Sequence, residues 1–116
     1  MFIVEDDPSI QRLYKRILTK NRYEVAGIAK NGEEAVSMFK SFSEKPEVII
    51  MDYRMPIKNG IEASKEILQI NDNTKIIFAS GDNSIKEKVL LNGVYCFLDK
   101  PFSIRQLITH IKRALE

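Results

Sequence analysis

Apolar residues fall along this chain in two alternating rhythms. Runs of roughly four consecutive apolar residues alternate with longer stretches in which apolar positions recur every three or four residues. The first pattern is that of a strand buried on both faces. The second is that of a helix with one face in a core. Met1–Val4 opens as a short apolar strand. Asp7-Pro8 then starts a helix, with Asp7 as cap and Pro8 in the first turn, and Ile10, Leu13, Tyr14, Ile17 and Leu18 form its stripe. Tyr23–Ala29, with Val25 and Ile28, reads as a second strand nearer an edge. Asn31 followed by Glu34 caps a helix carrying Ala35, Val36, Phe39 and Phe42.

Val48-Ile49-Ile50-Met51 shows no alternation and ends on the carboxylate of Asp52. Asn59 with Glu62 opens a third helix with Ile61, Ile67 and Leu68. Lys75–Ser80 is a fourth strand. Ser84 with Glu87 reads as a capping box opening a helix with Ile85, Val89 and Leu90, which Asn92-Gly93 ends. Tyr95–Leu98 is a fifth strand. Ser103 and Gln106 form the last box, and Ile104, Leu107, Ile108, Ile111 and Leu115 fill one helix face. Strand and helix thus alternate five times. That order predicts an α/β fold, a flavodoxin-like doubly wound (βα)5 sandwich whose five-stranded parallel sheet carries helices on both faces.

Composition narrows the picture. At 116 residues, 44% apolar and 29% charged, the chain suits one globular domain, residues 1–116. A net charge of +2 with both signs spread along the chain predicts no direct nucleic-acid binding. No apolar run nears the roughly 18 residues of a membrane span, so no membrane role is expected. The apolar start runs straight into acids, unlike a signal peptide, and the single Cys96 forms no internal disulfide. A cytoplasmic location fits.

A parallel sheet puts all its strand ends on one edge, and there the chemistry gathers. Glu5, Asp6 and Asp7 follow the first strand, Asp52 ends the third, Ser80 the fourth, and Lys100 follows the fifth. Carboxylates that converge raise each other's pKa unless a cation intervenes. A hard divalent ion with oxygen ligands, Mg2+ or Mn2+, resolves the repulsion. An ammonium and a hydroxyl beside it complete a receptor for a phosphoryl group on Asp52, whose carboxylate is the nucleophile.

These motifs resemble a known family. Val4-Glu5-Asp6-Asp7, Met51-Asp52-Tyr53-Arg54-Met55-Pro56 with Asn59-Gly60, Ala79-Ser80-Gly81, and Lys100-Pro101-Phe102 are similar to the receiver domain of bacterial and archaeal two-component response regulators. The likeness spans essentially the whole chain. It implies that Asp52 is the phospho-acceptor and that Asp6, Asp52 and the Arg54 main-chain carbonyl hold the metal, with Glu5 acting through a metal-bound water. It implies Ser80 as the switch hydroxyl, Gly81 as the small residue that leaves room for the phosphoryl group, Lys100 as its pairing cation, and Phe97 at the switch aromatic position. It also implies a cis Lys100-Pro101 bond. Its partners would be a sensor histidine kinase or phosphotransfer protein, and a downstream protein or fused effector domain reading the face of the fourth helix, fifth strand and fifth helix. The chain would be a switch and not an enzyme, a monomer or a phosphorylation-dependent dimer. Gly93-Val94-Tyr95 lacks the acids that usually support dimer pairing in the transcription-factor members.

Glu stands at the first acidic position where Asp is usual, and Phe97 lacks a tyrosine hydroxyl. An Arg54–Asp82 ion pair would cross the pocket mouth. Plainer roles are packing for Phe97 and Cys96, and the exposed side of the last helix for His110. A haloacid-dehalogenase-like phosphatase would need a second Asp where Arg54 stands, and a cap domain. A flavodoxin-like cofactor binder would meet repulsion from Glu5-Asp6-Asp7. A receiver-like scaffold that is never phosphorylated would not need the full residue set.

Overall fold

A computed structural model describes residues 1–116. Its strands are β1 (Phe2–Val4), β2 (Gly27–Ala29), β3 (Val48–Asp52), β4 (Lys75–Ser80) and β5 (Cys96–Asp99). Its helices are α1 (Pro8–Lys20), α2 (Gly32–Ser41), α3 (Gly60–Ile70), α4 (Lys86–Leu91) and α5 (Ile104–Leu115). All four strand pairings are parallel, in the order β2-β1-β3-β4-β5. The direction of winding reverses between β1 and β3, and open α/β sheets place their sites outside the carboxyl ends at such a point.

The sheet divides the core in two. Ile3, Val48, Ile50, Ile77 and Leu98 face α1 and α5, meeting Tyr14, Leu18, Leu107 and Ile111. Phe2, Val4, Ile49, Met51, Ile76 and Phe78 face α2, α3 and α4, meeting Phe39, Ile61, Ile67 and Val89. Successive residues of β3 therefore alternate between two buried layers, which is why its sequence shows no polar alternation. Charge is also sorted by face. α1 and α5 together carry Arg12, Lys15, Arg16, Lys20, Arg105, Lys112 and Arg113 and no acid, so a chain balanced in total is basic on one side.

The helix starts follow the expected caps at four places. Asp7 accepts from Ser9 N, Asn31 from Glu34 N and Asn59 from Glu62 N, and Ser103 and Gln106 form a complete box. The fifth start differs. Ser84 and Glu87 form no box; Asp82 caps a 3₁₀ turn, Asn83–Ile85, by accepting from Ser84 N, and α4 follows without a side-chain cap. The competing acceptor two residues before Ser84 wins because it closes a tighter turn.

β2 is shorter than the Tyr23–Ala29 expectation, because its one neighbour, β1, offers only three residues to pair with. Upstream of it the backbone is tied by separate bonds and not by a ladder: Ala26 N donates to Met1 O (2.7 Å), the Met1 amino group to Glu24 O (3.0 Å) and Tyr23 N to Leu18 O (2.9 Å). β5 begins one residue later than expected and lies at the sheet edge, which leaves Cys96 half-buried instead of in the core. Leu13 and Ile104 belong to the apolar stripes yet are 49% and 57% exposed, since both line a solvent-open groove between α1 and the start of α5. His110 is half-buried, with Nδ1 2.7 Å from the Gln106 carbonyl oxygen.

Candidate functional site

Asp52 is the last residue of β3. The four residues before it are wholly buried, so the strand is anchored and delivers the carboxylate to the edge of the core, where it is partly exposed. Gly60 fixes the chain just beyond. Its N–H donates to Tyr53 O (2.8 Å), and a Cβ there would lie 1.9 Å from the Asp52 carbonyl oxygen. The sequence shows this glycine only as a turn signal; its closeness to Asp52 O requires the absence of a side chain.

Glu5 and Asp6 leave β1 beside it. Glu5 is 2% exposed. Its Oε2 accepts from Asp7 N (3.1 Å), and its main-chain carbonyl accepts from Gln11 Nε2 (2.6 Å). Burial, with the charge of Asp52 adding to it, pushes the Glu5 carboxyl up to about 7, against the Asp7 N–H and Lys100. Asp6 is exposed. Carboxylate oxygens of Glu5, Asp6 and Asp52 all lie within 4.8 Å of one another.

Lys100 is held by its own N–H, which donates to Ser80 O (2.9 Å), and is followed by a cis bond to Pro101. Its Nζ donates to Asp52 Oδ1 (3.1 Å) and Glu5 Oε1 (3.4 Å). Burial opposes its charge, but Asp52, Tyr14 and Glu5 outweigh that and raise its pKa. Tyr14 of α1, buried and stacked on Phe102 (centroids 6.3 Å apart), walls this side; burial carries its phenol to about 12. Tyr14 enters the sequence reading only as a core residue.

Ser80 is buried, and its Oγ accepts from Asp82 N (3.0 Å). Gly81 is exposed, and a Cβ there would meet nothing within 4 Å. The space beside it, about 540 Å3 and open to solvent, is lined by Asp52, Arg54, Ser80, Gly81 and Asp82. The Arg54 guanidinium reaches across its mouth to Asp82 (3.2 Å). A second cleft of about 350 Å3 lies on the other side, lined by Asp6, Tyr53, Arg54, Met55, Pro56 and Asn59. Phe97 lies below in β5, buried, its ring stacked on Phe78 with centroids 6.2 Å apart. Every residue picked from the sequence thus lies at or just under one edge, and Lys100 joins the two strands that flank the reversal.

The donor set suits a small hard cation. Three carboxylates offer oxygen, and the one ammonium in contact leaves negative charge uncompensated. Mg2+ prefers such oxygen ligands and retains water on its open positions.

The sequence profile of the response regulator receiver domain matches residues 1–112. The chain belongs to the response regulator receiver domain family. Receiver domains are the switch modules of two-component signalling, and they bind Mg2+ at an acidic site. This receiver is 38% identical over 115 residues to the chemotaxis protein CheY of Thermotoga maritima, covering 97% of this chain and 94% of that protein. It is 36% identical to Bacillus subtilis CheY over 117 residues, covering 99% and 96%. Among solved structures, the response regulator domain of Thermotoga maritima CheB is 34% identical, with a TM-score of 0.85 over 98% of this chain and 93% of that one. The receiver domain of the sensor histidine kinase PA1611 of Pseudomonas aeruginosa, which has a magnesium ion coordinated in its active-site cleft, is 26% identical, with a TM-score of 0.86 over 98% and 94%.

Proposed function

We propose that this receiver is a phospho-accepting switch in which Asp52 takes a phosphoryl group from the histidine of a sensor kinase or phosphotransfer protein. The carrying observation is Lys100 Nζ at 3.1 Å from Asp52 Oδ1, with the Glu5 and Asp6 carboxylates beside them. An Asp52 oxygen forms the new bond to phosphorus. The phosphorus–nitrogen bond to the donor imidazole breaks, and the imidazole keeps the electron pair and takes a proton. Mg2+, when bound by Asp6, Asp52 and the Arg54 carbonyl with Glu5 behind a water, offsets negative charge on the carboxylate and on the phosphoryl oxygens. Lys100 stays paired with the site as its carboxylate becomes an acyl phosphate. Ser80 gives up its bond from Asp82 N and donates its hydroxyl to a phosphoryl oxygen, filling the cleft beside Gly81.

That movement pulls the β4–α4 segment and changes the α4-β5-α5 face, which a downstream protein or fused effector reads. The chain acts in the cytoplasm as a switch and not as a turnover enzyme. The test is incubation with a small phosphodonor and Mg2+, followed by intact-mass measurement. One phosphoryl adduct is expected, absent without Mg2+ and absent in Asp52→Asn. An adduct that persists in Asp52→Asn rejects the assignment.

A further inference from the structure

The segment that carries Arg54 is held from outside the site. Gly32, the first residue of α2, donates its N–H to Lys58 O (2.9 Å). A Cβ on Gly32 would lie 2.3 Å from that oxygen, 2.8 Å from the Lys58 carbonyl carbon and 3.0 Å from Asn59 O. All three are backbone atoms, so no side-chain rotation would relieve the contact. The segment is also strained at this point. Lys58 N donates to Pro56 O (2.8 Å) around Ile57, whose φ is +71°, which makes a γ-turn of the rare left-handed kind. A β-branched residue resists that region. Ile57 is 76% exposed, so burial does not hold it there. Backbone contacts hold it there, Gly32 on Lys58 and Gly60 on Tyr53, together with the ion pair of the Lys58 ammonium with Glu66 of α3.

We propose that Gly32 is a positioning residue for the metal site: by admitting the Lys58 carbonyl against α2, it sets where the strained 53–60 segment runs and so where the Arg54 carbonyl stands. This rests on the reading of that carbonyl as a metal ligand. The β2–α2 junction supplies no side chain to the site, yet it fixes a ligand supplied by β3–α3. Mg2+ demands near-octahedral geometry at short distances, whereas Ca2+ tolerates irregular shells. A displaced carbonyl therefore weakens Mg2+ more than Ca2+.

The experiment is calorimetric titration of Mg2+ and of Ca2+ into the metal-free full chain, with circular dichroism to verify folding. Gly32→Ala is expected to lower Mg2+ affinity about tenfold or more, and Ca2+ affinity markedly less. Ile57→Gly alone leaves the clamp intact and keeps the wild-type Mg2+/Ca2+ ratio. The double variant frees the segment to move off the new methyl group; it folds where Gly32→Ala does not, and it still shows the lowered ratio. A folded Gly32→Ala or double variant with the wild-type ratio overturns the inference while leaving the site reading intact. Asp52→Asn binding Mg2+ as tightly as wild type overturns the site reading, and this inference with it.

Discussion

Glu5 Oε1 and Lys100 Nζ meet at 3.4 Å across 95 positions of sequence. The lysine is shared with Asp52, so Glu5 is a nearly inaccessible carboxylate with part of one counter-charge. That explains the rise of its pKa from 4.5 to about 7, by burial first and by Asp52 second. Between about pH 4.5 and 7 the folded protein therefore holds a proton on Glu5 that the unfolded chain has released. Its stabilising contribution is full below about pH 4.5 and is lost as pH rises through about 7. Metal-free protein is expected to lose on the order of 2 kcal/mol over that window. Asp7 and Asp82, whose pKa values are lowered by Ser9 and Ser84, act at lower pH, below their ordinary 3.8. Urea midpoints measured in chelator across pH should fall toward neutrality in wild type, and that fall should be lost in Glu5→Gln, where the Met1 ammonium, its pKa lowered from 8.0 by burial, leaves only a rise with pH. An equal slope in both would reject Glu5 as the source.

The start of α4 depends on Asp82 and not on the Ser84–Glu87 pair. Asp82 Oδ1 accepts from Ser84 N (3.0 Å), while its other oxygen meets Arg54. Asp82→Ala is expected to lower the urea midpoint and to speed hydrogen exchange at Ser84 and Ile85. Glu87→Ala should leave both unchanged. Arg54→Ala should also leave the midpoint unchanged, because its side chain is 80% exposed and such pairs contribute little. A larger loss from Glu87→Ala than from Asp82→Ala would restore the capping box.

Two glycines near Asp52 make opposite demands. A Cβ on Gly60 would sit 1.9 Å from Asp52 O and 3.2 Å from Met51 Cγ, against the strand end that presents the Asp52 carboxylate. Gly60→Ala should cost about 3 kcal/mol. Gly81→Ala meets nothing and should change stability by less than about 0.5 kcal/mol. Chemical denaturation of both variants checks the contrast, and equal losses would refute it.

The contrast marks where sequence reading stops. Strands, helix faces and four caps are local patterns, and the site residues are strand-terminal, so parallel topology alone brings Glu5, Asp52, Ser80 and Lys100 together. Gly32 and Gly60 are different. Each matters because of a backbone oxygen in another segment, and a turn-forming glycine looks the same whether or not such an oxygen is near. The exposed Ile57 at positive φ is similarly silent, since a β-branched residue predicts the opposite conformation. The length of β2 was illegible for a related reason: its partner's length decides it, not its own apolar content.

Phe97 is expected to stay in place when Asp52 is phosphorylated. Its ring lies on Phe78 at 6.2 Å, 17° from parallel, and is 8% exposed. Turning outward would return that surface to water at a cost of about 2 kcal/mol. A tyrosine hydroxyl would regain a hydrogen bond in either position, but a phenyl ring has nothing to place. The switch should therefore be carried by Ser80 and the β4–α4 segment. Nuclear Overhauser contacts between the Phe97 and Phe78 rings, recorded with and without beryllofluoride and Mg2+, should persist in both states, while the Gly81–Asn83 amides shift. Loss of the ring contacts on activation would show Phe97 to be a moving part. Phe97→Ala, by leaving a cavity against Phe78, should cost about 3 kcal/mol. Phe97→Tyr should supply the missing hydroxyl and allow the outward state, visible as weakened ring contacts only when beryllofluoride is bound.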